Sequence, residues 1–244
     1  MTGFWVLMRK ELLEHRRSGK FLAMVAVLSI PAVLAPTIFA IVTDVRDDAH
    51  ALELAIDALE GVAGIITGLG IFMSIIVTMG LLAGERASGT AAMTLSKPVT
   101  RAAFVAAKAL AVALSILIAV TVASVIAYLL VLLLFANGGL DRFAAGMAVN
   151  AGFLLFIGAV AFFWSAVLTR QMAAGGITFA TSIVLSVLRG FQGAERYLPV
   201  VSSDWARSII GRDTSDQWPG FVIACGCAVL LPVASWVVFR YKEL

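Results

Sequence analysis

Apolar residues gather into six long runs along the chain, and short polar connections separate them. A helix that crosses a bilayer takes about 17 to 25 mainly apolar residues, and each run is long enough to do so. The runs lie at residues 21–43, 62–83, 109–135, 143–168, 172–188 and 221–239. The pattern therefore predicts an all-α membrane protein with six transmembrane helices, folded as one domain over residues 1–244.

Residues 1–20, before the first run, form an amphipathic segment. Its apolar and charged side chains recur at helical spacing on different faces: Trp5, Met8 and Leu12 against Lys10, Glu14 and Arg17. A basic tail in solvent is the alternative, but it would leave Phe4 and Trp5 exposed to water. We therefore expect an interfacial helix that contacts lipid head groups.

Two connections on the opposite side carry helical patterns of their own. Leu52, Ile56 and Leu59 alternate with acidic residues, which predicts a short surface helix in the first of them. Residues 189–219 form the longest connection, with aromatic and aliphatic residues interspersed among charges. We expect one or two short helices there, folded back onto the outer membrane face.

Composition excludes a water-soluble globule. Hydrophobic residues make up 61% of the chain and charged residues 14%, at a mean hydropathy of +1.00, whereas soluble domains carry about 25% charged residues. Cys225 and Cys227 both lie in the last apolar run, and two thiols are too few for a metal site. We interpret them as small buried hydrophobes.

Basic residues are distributed unevenly between the two sides of the predicted bundle. The side that holds both termini, the 84–108 connection and residues 169–171 carries twelve Lys and Arg against four acidic residues. The other side carries six against eleven. By the positive-inside rule both termini are cytoplasmic, in a multi-pass protein of an inner or plasma membrane. The asymmetry explains the basic residues without a nucleic-acid partner.

Asp, Glu, Lys, Arg and His are absent from all six apolar runs, and we interpret the polar residues there as hydroxyl side chains. Because intramembrane ionisable groups mark proton relays, ion sites and catalytic centres, the pattern argues against an intramembrane enzyme, a metal site and a proton-coupled carrier. Sodium coupling through backbone carbonyls of broken helices stays open. The chain has no G-x-x-x-x-G-K-[ST] phosphate loop, so we expect no cofactor in the chain itself.

The connection at 84–101 contains residues that typically begin and end a short helix between two turns. Gly89 permits a turn with a positive φ angle, Thr90 is a good N-cap, and Pro98 ends the helical stretch. Thr100 follows as a cap for the next helix, which continues into the third apolar run.

The same connection carries the arrangement G-E-x-x-x-G-T-x-x-x-x-L-x-x-P-x-x-R, with Lys108 seven residues later. Together with the amphipathic start and the six runs, it resembles the permease subunits of type-2 ABC exporters. The resemblance is nearest to the branch that includes the permease of the nitrous oxide reductase maturation system. It covers nearly the whole chain in layout and residues 84–108 in motif.

The resemblance implies that this connection is a coupling helix, which docks into a groove of an ATP-binding subunit. The residues implied to couple are Glu85, Gly89, Thr90, Leu95, Pro98 and Arg101. The implied partners are two ATP-binding cassette subunits, which hold ATP and Mg, and a second permease, either another copy or a homologue. The chain would then export cargo by hydrolysis in its partners and would not itself be an enzyme.

Other interpretations stay open at this point. Lys97, Arg101 and Lys108 in an ordinary connection would contact anionic lipid head groups, although lipid attraction requires neither Glu85 nor the glycine turn. A membrane scaffold or assembly factor without transport would keep the same topology. An ion-coupled secondary carrier is the third alternative.

Hydroxyl side chains form two stripes at helical spacing inside the predicted spans. They are Thr67, Ser74 and Thr78 on the second span and Thr178, Ser182 and Ser186 on the fifth. Either stripe would suit a cargo path between two membrane subunits. Serine and threonine also bond back to their own helix and sit at helix contacts, so packing is the alternative for both stripes.

Overall fold

The computed structural model describes residues 2–17, 19–43, 51–90, 100–135, 139–190, 195–213 and 217–242. Every regular element in these ranges is helical. Nine α-helices occur in them: α1 Thr2–Arg17, α2 Lys20–Val42, α3 Ala51–Thr78, α4 Ala83–Ala87, α5 Arg101–Leu134, α6 Leu140–Val167, α7 Gln171–Leu188, α8 Ser202–Ile210 and α9 Trp218–Arg240. The predicted all-α fold is confirmed.

Six of these helices are long and apolar enough to cross a membrane, namely α2, α3, α5, α6, α7 and α9. They coincide with the six apolar runs, and α3 joins α4 in a single candidate span over Ala51–Ala87. The prediction of six transmembrane helices is therefore confirmed. Hydropathy suffices for this count because a lipid-exposed backbone must satisfy its own hydrogen bonds, which a helix does.

Helix α6 is the centre of the bundle. In its most apolar stretch 83% of the residues are buried, against at most 44% in any other spanning helix. It contacts α3, α5, α7, α8 and α9, while α2 packs on α3 and α5 at the side. These five neighbours therefore surround α6, and the other spanning helices keep much of their own surface exposed on the outside of the bundle.

Glycines on α6 allow these neighbours to come close. A Cβ atom at Gly146 would lie 2.5 Å from the Ala206 carbonyl oxygen of α8, and one at Gly152 would lie 2.5 Å from the Phe221 ring of α9. Small residues at such contacts are the usual means of packing helices in membranes, where lipid is as apolar as the side chains. Larger residues here would push α8 and α9 outward.

The predicted surface helix of the first outer connection is not a separate element. Residues 51–60 form the first turns of α3, and Ala55 and Leu59 are fully buried. Of the apolar side chains that predicted this surface helix, Ile56 and Leu59 pack into the core, whereas Leu52 is 39% exposed. Helix α3 therefore rises well beyond the apolar run at 62–83.

The longest outer connection contains short helices, as predicted. Two 3₁₀ turns, Glu195–Tyr197 and Pro199–Val201, precede α8. Val201, Ala206 and Ile210 of this segment are at most 3% exposed and pack toward α3 and α6. The segment thus closes one end of the bundle.

Helix α1 covers the amphipathic segment, but its buried face differs from the expected one, and its place at the membrane interface stays a prediction. It packs on α5 and α2 through Leu7, Met8, Glu11 and His15. Trp5, which was grouped with Met8, is 73% exposed. Two polar side chains, Glu11 and His15, therefore lie on the face of α1 that is buried against its neighbours.

Candidate functional site

A cluster of three charged side chains lies at the end of the bundle that holds both termini. The Lys108 Nζ of α5 donates to Glu11 Oε2 of α1 at 2.8 Å and to Glu85 Oε1 of α4 at 2.5 Å. The Lys108 side chain is 1% exposed and that of Glu11 3%, whereas Glu85 keeps 24%. One ammonium thus joins three helices, and these three residues are called the charged cluster below.

Apolar packing surrounds this cluster. The Phe104 ring, one turn earlier on α5, lies 5.1 Å from Lys108 Nζ and stacks on Phe239 of α9 at 5.6 Å. Leu7 and Met8 of α1 belong to the same apolar patch. Removal of one partner from a buried ion pair costs about 3 to 5 kcal/mol because an uncompensated charge stays behind. The charged cluster therefore ties α1 and α4 firmly to the start of α5.

This burial corrects one interpretation of the connection. In the lipid-contact alternative Lys108 would face anionic head groups, but its ammonium is enclosed by protein carboxylates. Attraction to lipid therefore does not explain Lys108.

Two basic side chains cap the C-terminus of α6, at the end of the bundle that also holds the charged cluster. Arg86 Nη2 donates to Ser165 O at 2.9 Å and to Leu168 O. Lys242 Nζ donates to Val167 O. The last carbonyls of a helix lack partners within the helix and carry partial negative charge, so a cation there is stabilising.

Arg101 does the same for α9. Its Nη1 donates to Arg240 O at 2.9 Å and to Lys242 O at 3.1 Å. The first residue of α5 is thus bound to the end of the last helix, 139 residues later in the chain. The coupling role that the resemblance implies for Arg101 stays a prediction.

Ser165 connects α6 to α4 from the other direction. Its hydroxyl oxygen accepts from the backbone N–H groups of Leu82 and Ala83, each at 3.1 Å. These are N–H groups at the start of α4, which no residue of that helix can pair. Because Ser165 is fully buried, α4 is held rigidly against the end of α6.

The turn after α4 has the predicted backbone conformation. Gly89 has φ +71°, a conformation that a side chain at this position would resist. The Thr90 hydroxyl lies 2.9 Å from that of Ser88 and donates to Glu85 O at 3.3 Å. The turn that Gly89 was predicted to allow is confirmed, and it folds back on α4.

After Thr90, the structure describes the connection again only from Thr100. Residues 91–99 lie outside the described residues, and with them Leu95, Pro98 and the helix that Thr90 is predicted to cap. Thr100 caps α5 as predicted, since its hydroxyl oxygen accepts from the Ala103 N–H at 3.2 Å. The chain therefore leaves α4 and enters α5 through two well-defined turns.

Burial affects two titratable groups near the cluster. It lowers the pKa of His15 on α1, although the nearby Glu11 carboxylate opposes the shift. Burial, and then repulsion from Arg86, lowers the pKa of Lys242. Both shifts favour the uncharged form of these groups relative to the same groups in water.

The hydroxyl stripe of α3 lies inside the chain. Thr67 donates to Ala63 O at 2.7 Å and contacts Asn150 Oδ1 of α6 at 2.9 Å. The Ser74 and Thr78 side chains are fully buried, and their oxygens have no hydrogen-bond partner among the described residues. This stripe faces α6, and its use as a cargo path stays a prediction.

The hydroxyl stripe of α7 is more open. Thr178, Ser182 and Ser186 each donate to the carbonyl one turn earlier on their own helix, at 2.8, 3.0 and 2.9 Å. Thr178 is buried, Ser182 is half-buried and Ser186 is exposed. Such back-bonding satisfies a hydroxyl without a partner, so it fits the packing alternative while leaving Ser182 and Ser186 accessible.

Sequence reasoning missed two residues. Asn150 is an amide in the fourth apolar run, where only hydroxyls were considered; it is fully buried, and its Nδ2 has no partner among the described residues. A search for amides in the runs would have found it. Glu11 was seen only as part of an amphipathic helix, and no local pattern pairs it with a lysine 97 residues away.

Within the described residues, no group of three or more His, Cys, Asp or Glu side chains is placed to hold a metal ion. Cys225 and Cys227 are free thiols in α9, both half-buried. At the end that holds both termini, fixed charges and capped helix ends hold α4 against α1, α5 and α6.

A comparison with known protein families finds a match for this chain. The model of a family described as ABC-2 family transporter protein matches residues 5–244 of the chain. The match thus extends over almost the whole chain, from α1 to the terminus. No curated protein shows a significant match.

Proposed function

The chain belongs to the ABC-2 family transporter proteins, and from this premise we propose that it is the permease of an ATP-driven exporter. Membership of the family makes it a membrane subunit of an ABC transporter. The nearest branch, by the residues of the 84–101 connection, is the one that includes the nitrous oxide reductase maturation permease. Cargo moves outward in this proposal.

The proposed assembly has two ATP-binding cassette subunits and a second permease, either another copy or a homologue. ATP and Mg bind in the cassette subunits, which carry out hydrolysis. The permease changes conformation because closure of those subunits favours one of its states over the other. Both termini and the 84–101 connection lie on the cytoplasmic side, in an inner or plasma membrane.

The observation that carries the proposal is the attachment of α4 to the bundle. Glu85 of α4 shares Lys108 with Glu11, and Ser165 caps the start of α4. Force applied to the connection would therefore reach α1, α5 and α6 together. A connection that only linked two spans would need no such attachment.

The proposed cargo path follows the two hydroxyl stripes. Ser182 and Ser186 on α7 are accessible from outside the chain. Ser74 of α3 is fully buried on the stripe whose Thr67 contacts α6, so it becomes accessible only if α3 moves away from its neighbours. The path thus opens between the membrane subunits and widens as α3 moves.

Two substitutions in the connection test the coupling. Glu85→Ala removes one partner of Lys108, and Gly89→Val places a branched side chain at φ +71°, where it is strained. We expect both to reduce co-purification of the ATP-binding subunit with the tagged chain, or to leave ATP hydrolysis without transport in reconstituted vesicles.

Matched controls are available for both. Glu14→Ala changes a glutamate that is 58% exposed on α1, and Gly68→Val adds a side chain where nothing lies within 4 Å of the new Cβ. Unchanged assembly and unchanged transport in Glu85→Ala and Gly89→Val would remove the connection from the mechanism. A scaffold would show no nucleotide-dependent partner in any variant.

Accessibility of single cysteines tests the orientation. In a variant without Cys225 and Cys227, cysteines at Ser18 and Ser96 should be protected from an impermeant thiol reagent in intact cells. Cysteines at Asp48 and Ser215 should react. Labelling at position 96 from outside would contradict cytoplasmic termini.

A further inference from the structure

A groove opens between α5 and α9, with α6 as its floor. It encloses about 210 Å³, and every side chain that lines it is apolar. Most of the lining residues are small: Ala109, Ala113, Gly158, Ala159, Ala228 and Pro232. An apolar groove of this kind on the outside of a membrane bundle faces the hydrocarbon of the bilayer.

A glycine and a proline lie at two points of this groove. Gly158 lies in its floor, and a Cβ atom there would come within 2.8 Å of Ile116 Cδ1. Pro232 lies inside α9 and has no N–H group, so it cannot make the helical hydrogen bond to the Ala228 carbonyl. Val229, beside that carbonyl, is 68% exposed. Gly158 therefore lets α5 pack closely on α6 at the floor of the groove, while α9 exposes Val229 at its edge.

Its depth in the membrane follows from the helix ends. Ala109 is eight residues from the start of α5 at Arg101, and Pro232 is eight residues from the end of α9 at Arg240. At 1.5 Å per residue, this places both about 12 Å from the helix ends. Half of the hydrocarbon core is about 15 Å thick. The groove therefore lies within the leaflet on the side of the chain termini.

Positive charge lies at the end of α9, eight residues beyond Pro232 of the groove. Arg240, at the end of α9, is exposed, and its guanidinium lies 5.9 Å from the Tyr241 ring. Tyr241 is 78% exposed, which is typical of aromatic residues at the level of lipid head groups. Arg101 beside them is already bonded to backbone carbonyls. Arg240 is thus an exposed cation of α9 that a phosphate can reach.

We propose that the groove holds one acyl chain of an anionic phospholipid of this leaflet, with the lipid phosphate at Arg240. Apolar lining suits the acyl chain, and the exposed guanidinium complements the negative head group. The bound lipid fills the space between α5 and α9 and so supports the packing of both helices on α6. This inference requires only the membrane bundle and does not depend on the proposed export activity.

Photo-crosslinking of the full-length chain in nanodiscs tests the proposal. The probes are phosphatidylglycerol and phosphatidylcholine, each with the same diazirine-bearing acyl chain, and adducts are mapped by mass spectrometry. We expect adducts to concentrate on the groove residues, and phosphatidylglycerol to give more of them. Because one basic residue near the surface contributes about fivefold to anionic lipid affinity, Arg240→Gln should reduce that preference by about this factor.

Ala113→Phe fills the groove and should abolish most adducts there with both lipids. Ile118→Phe, on the same helix at a side chain 47% exposed and outside the groove, should leave them unchanged. If Ala113→Phe does not fold, as judged by size-exclusion chromatography, the smaller Ala113→Leu replaces it with the same expected direction.

Three outcomes would overturn the proposal. One is an even spread of adducts over the outward side chains of α5 and α9. Another is an adduct pattern that Ala113→Phe or its substitute does not change. The third is a disulfide between two copies that carry Val229→Cys, since a second copy of the chain would then cover the groove.

Discussion

The two ends of the helix bundle both carry one charged group between two groups of opposite sign, but they bury them very differently. At the end with the termini, Lys108 lies between Glu11 and Glu85, and the lysine is 1% exposed. At the other end, Asp204 lies 2.6 Å from Arg189 and 2.5 Å from Arg207, and these side chains are 26 to 48% exposed.

The ion pairs at the two ends have similar distances but contribute differently to stability. Water and salt screen the Asp204 pairs, and exposed ion pairs contribute about 0 to 1 kcal/mol. The charged cluster is shielded, so its partners depend on each other strongly. The comparison indicates that the end with the termini is built to hold three helices in one arrangement, whereas the other end is held by the apolar packing of α8.

The largest expected effect comes from removing the central charge at each end. Lys108→Met leaves two carboxylates without their cation, so we expect a loss of about 3 to 5 kcal/mol in stability and little assembly with the ATP-binding subunit. Asp204→Asn should cost about 1 kcal/mol or less. Thermal unfolding in detergent and size-exclusion chromatography measure both.

A matched control for the buried site is Lys20→Met, because Lys20 is an exposed lysine at the start of α2. The triple variant Glu11→Leu, Glu85→Leu and Lys108→Met should recover much of the stability, since apolar residues of similar volume can replace a buried ion cluster. Equal losses in Lys108→Met and Asp204→Asn would contradict the comparison.

We expect an intermediate effect when a buried hydroxyl position and a more open one inside the membrane, Ser74 and Ser182, are compared. Ser74→Phe overfills the fully buried contact between α3 and α6, so it should cost about 1 to 3 kcal/mol and lower assembly and basal ATP hydrolysis together. Ser182→Phe, at a half-buried position, should leave both intact and reduce only cargo-stimulated hydrolysis. Hydrolysis assays on purified complexes separate the two.

No effect of Ser182→Phe on cargo stimulation would assign the α7 stripe to helix packing. Intact assembly in Ser74→Phe would instead mean that α3 and α6 can separate at low cost. Each outcome therefore changes which of the two hydroxyl stripes can line the proposed cargo path.

The smallest expected effect is a pH dependence of stability that comes from His15, at the end that holds both termini. Burial holds the pKa of His15 below its ordinary value of 6.5, so the unfolded chain binds this proton more readily than the folded one. Its contribution to stability should be complete above pH 6.5 and decline as the pH falls below that value. Thermal unfolding between pH 8 and pH 5 (about the range where histidine titrates) measures it.

His15→Gln should flatten this decline, because the titrating group is removed. The charges that act on His15 are Glu11, Glu14, Lys20 and Lys108, and all of them stay in the variant. An identical pH profile in His15→Gln would mean that another group is responsible.

Local patterns predicted several features correctly because their causes are local. The six spans follow from runs of apolar residues, since each helix satisfies its own backbone in lipid. The turn at Gly89 and the cap at Thr100 follow from the conformational freedom of glycine and from a hydroxyl at the start of a helix. The extent of α3 was predicted less well, because its first turns pack on α8, and no local pattern records that contact.

What the sequence by itself determined is the membrane bundle: six apolar helices, an amphipathic helix before them and an excess of positive charge on one side. What only the tertiary structure decided is the partner of each polar group. Lys108 looks like a surface lysine until α1 and α4 bring Glu11 and Glu85 to it, and Asn150 meets Thr67 only when α6 lies against α3. The physical reason is that hydrophobicity is a property of each residue, whereas compensation of a buried charge or hydrogen-bonding group depends on atoms far apart in the chain.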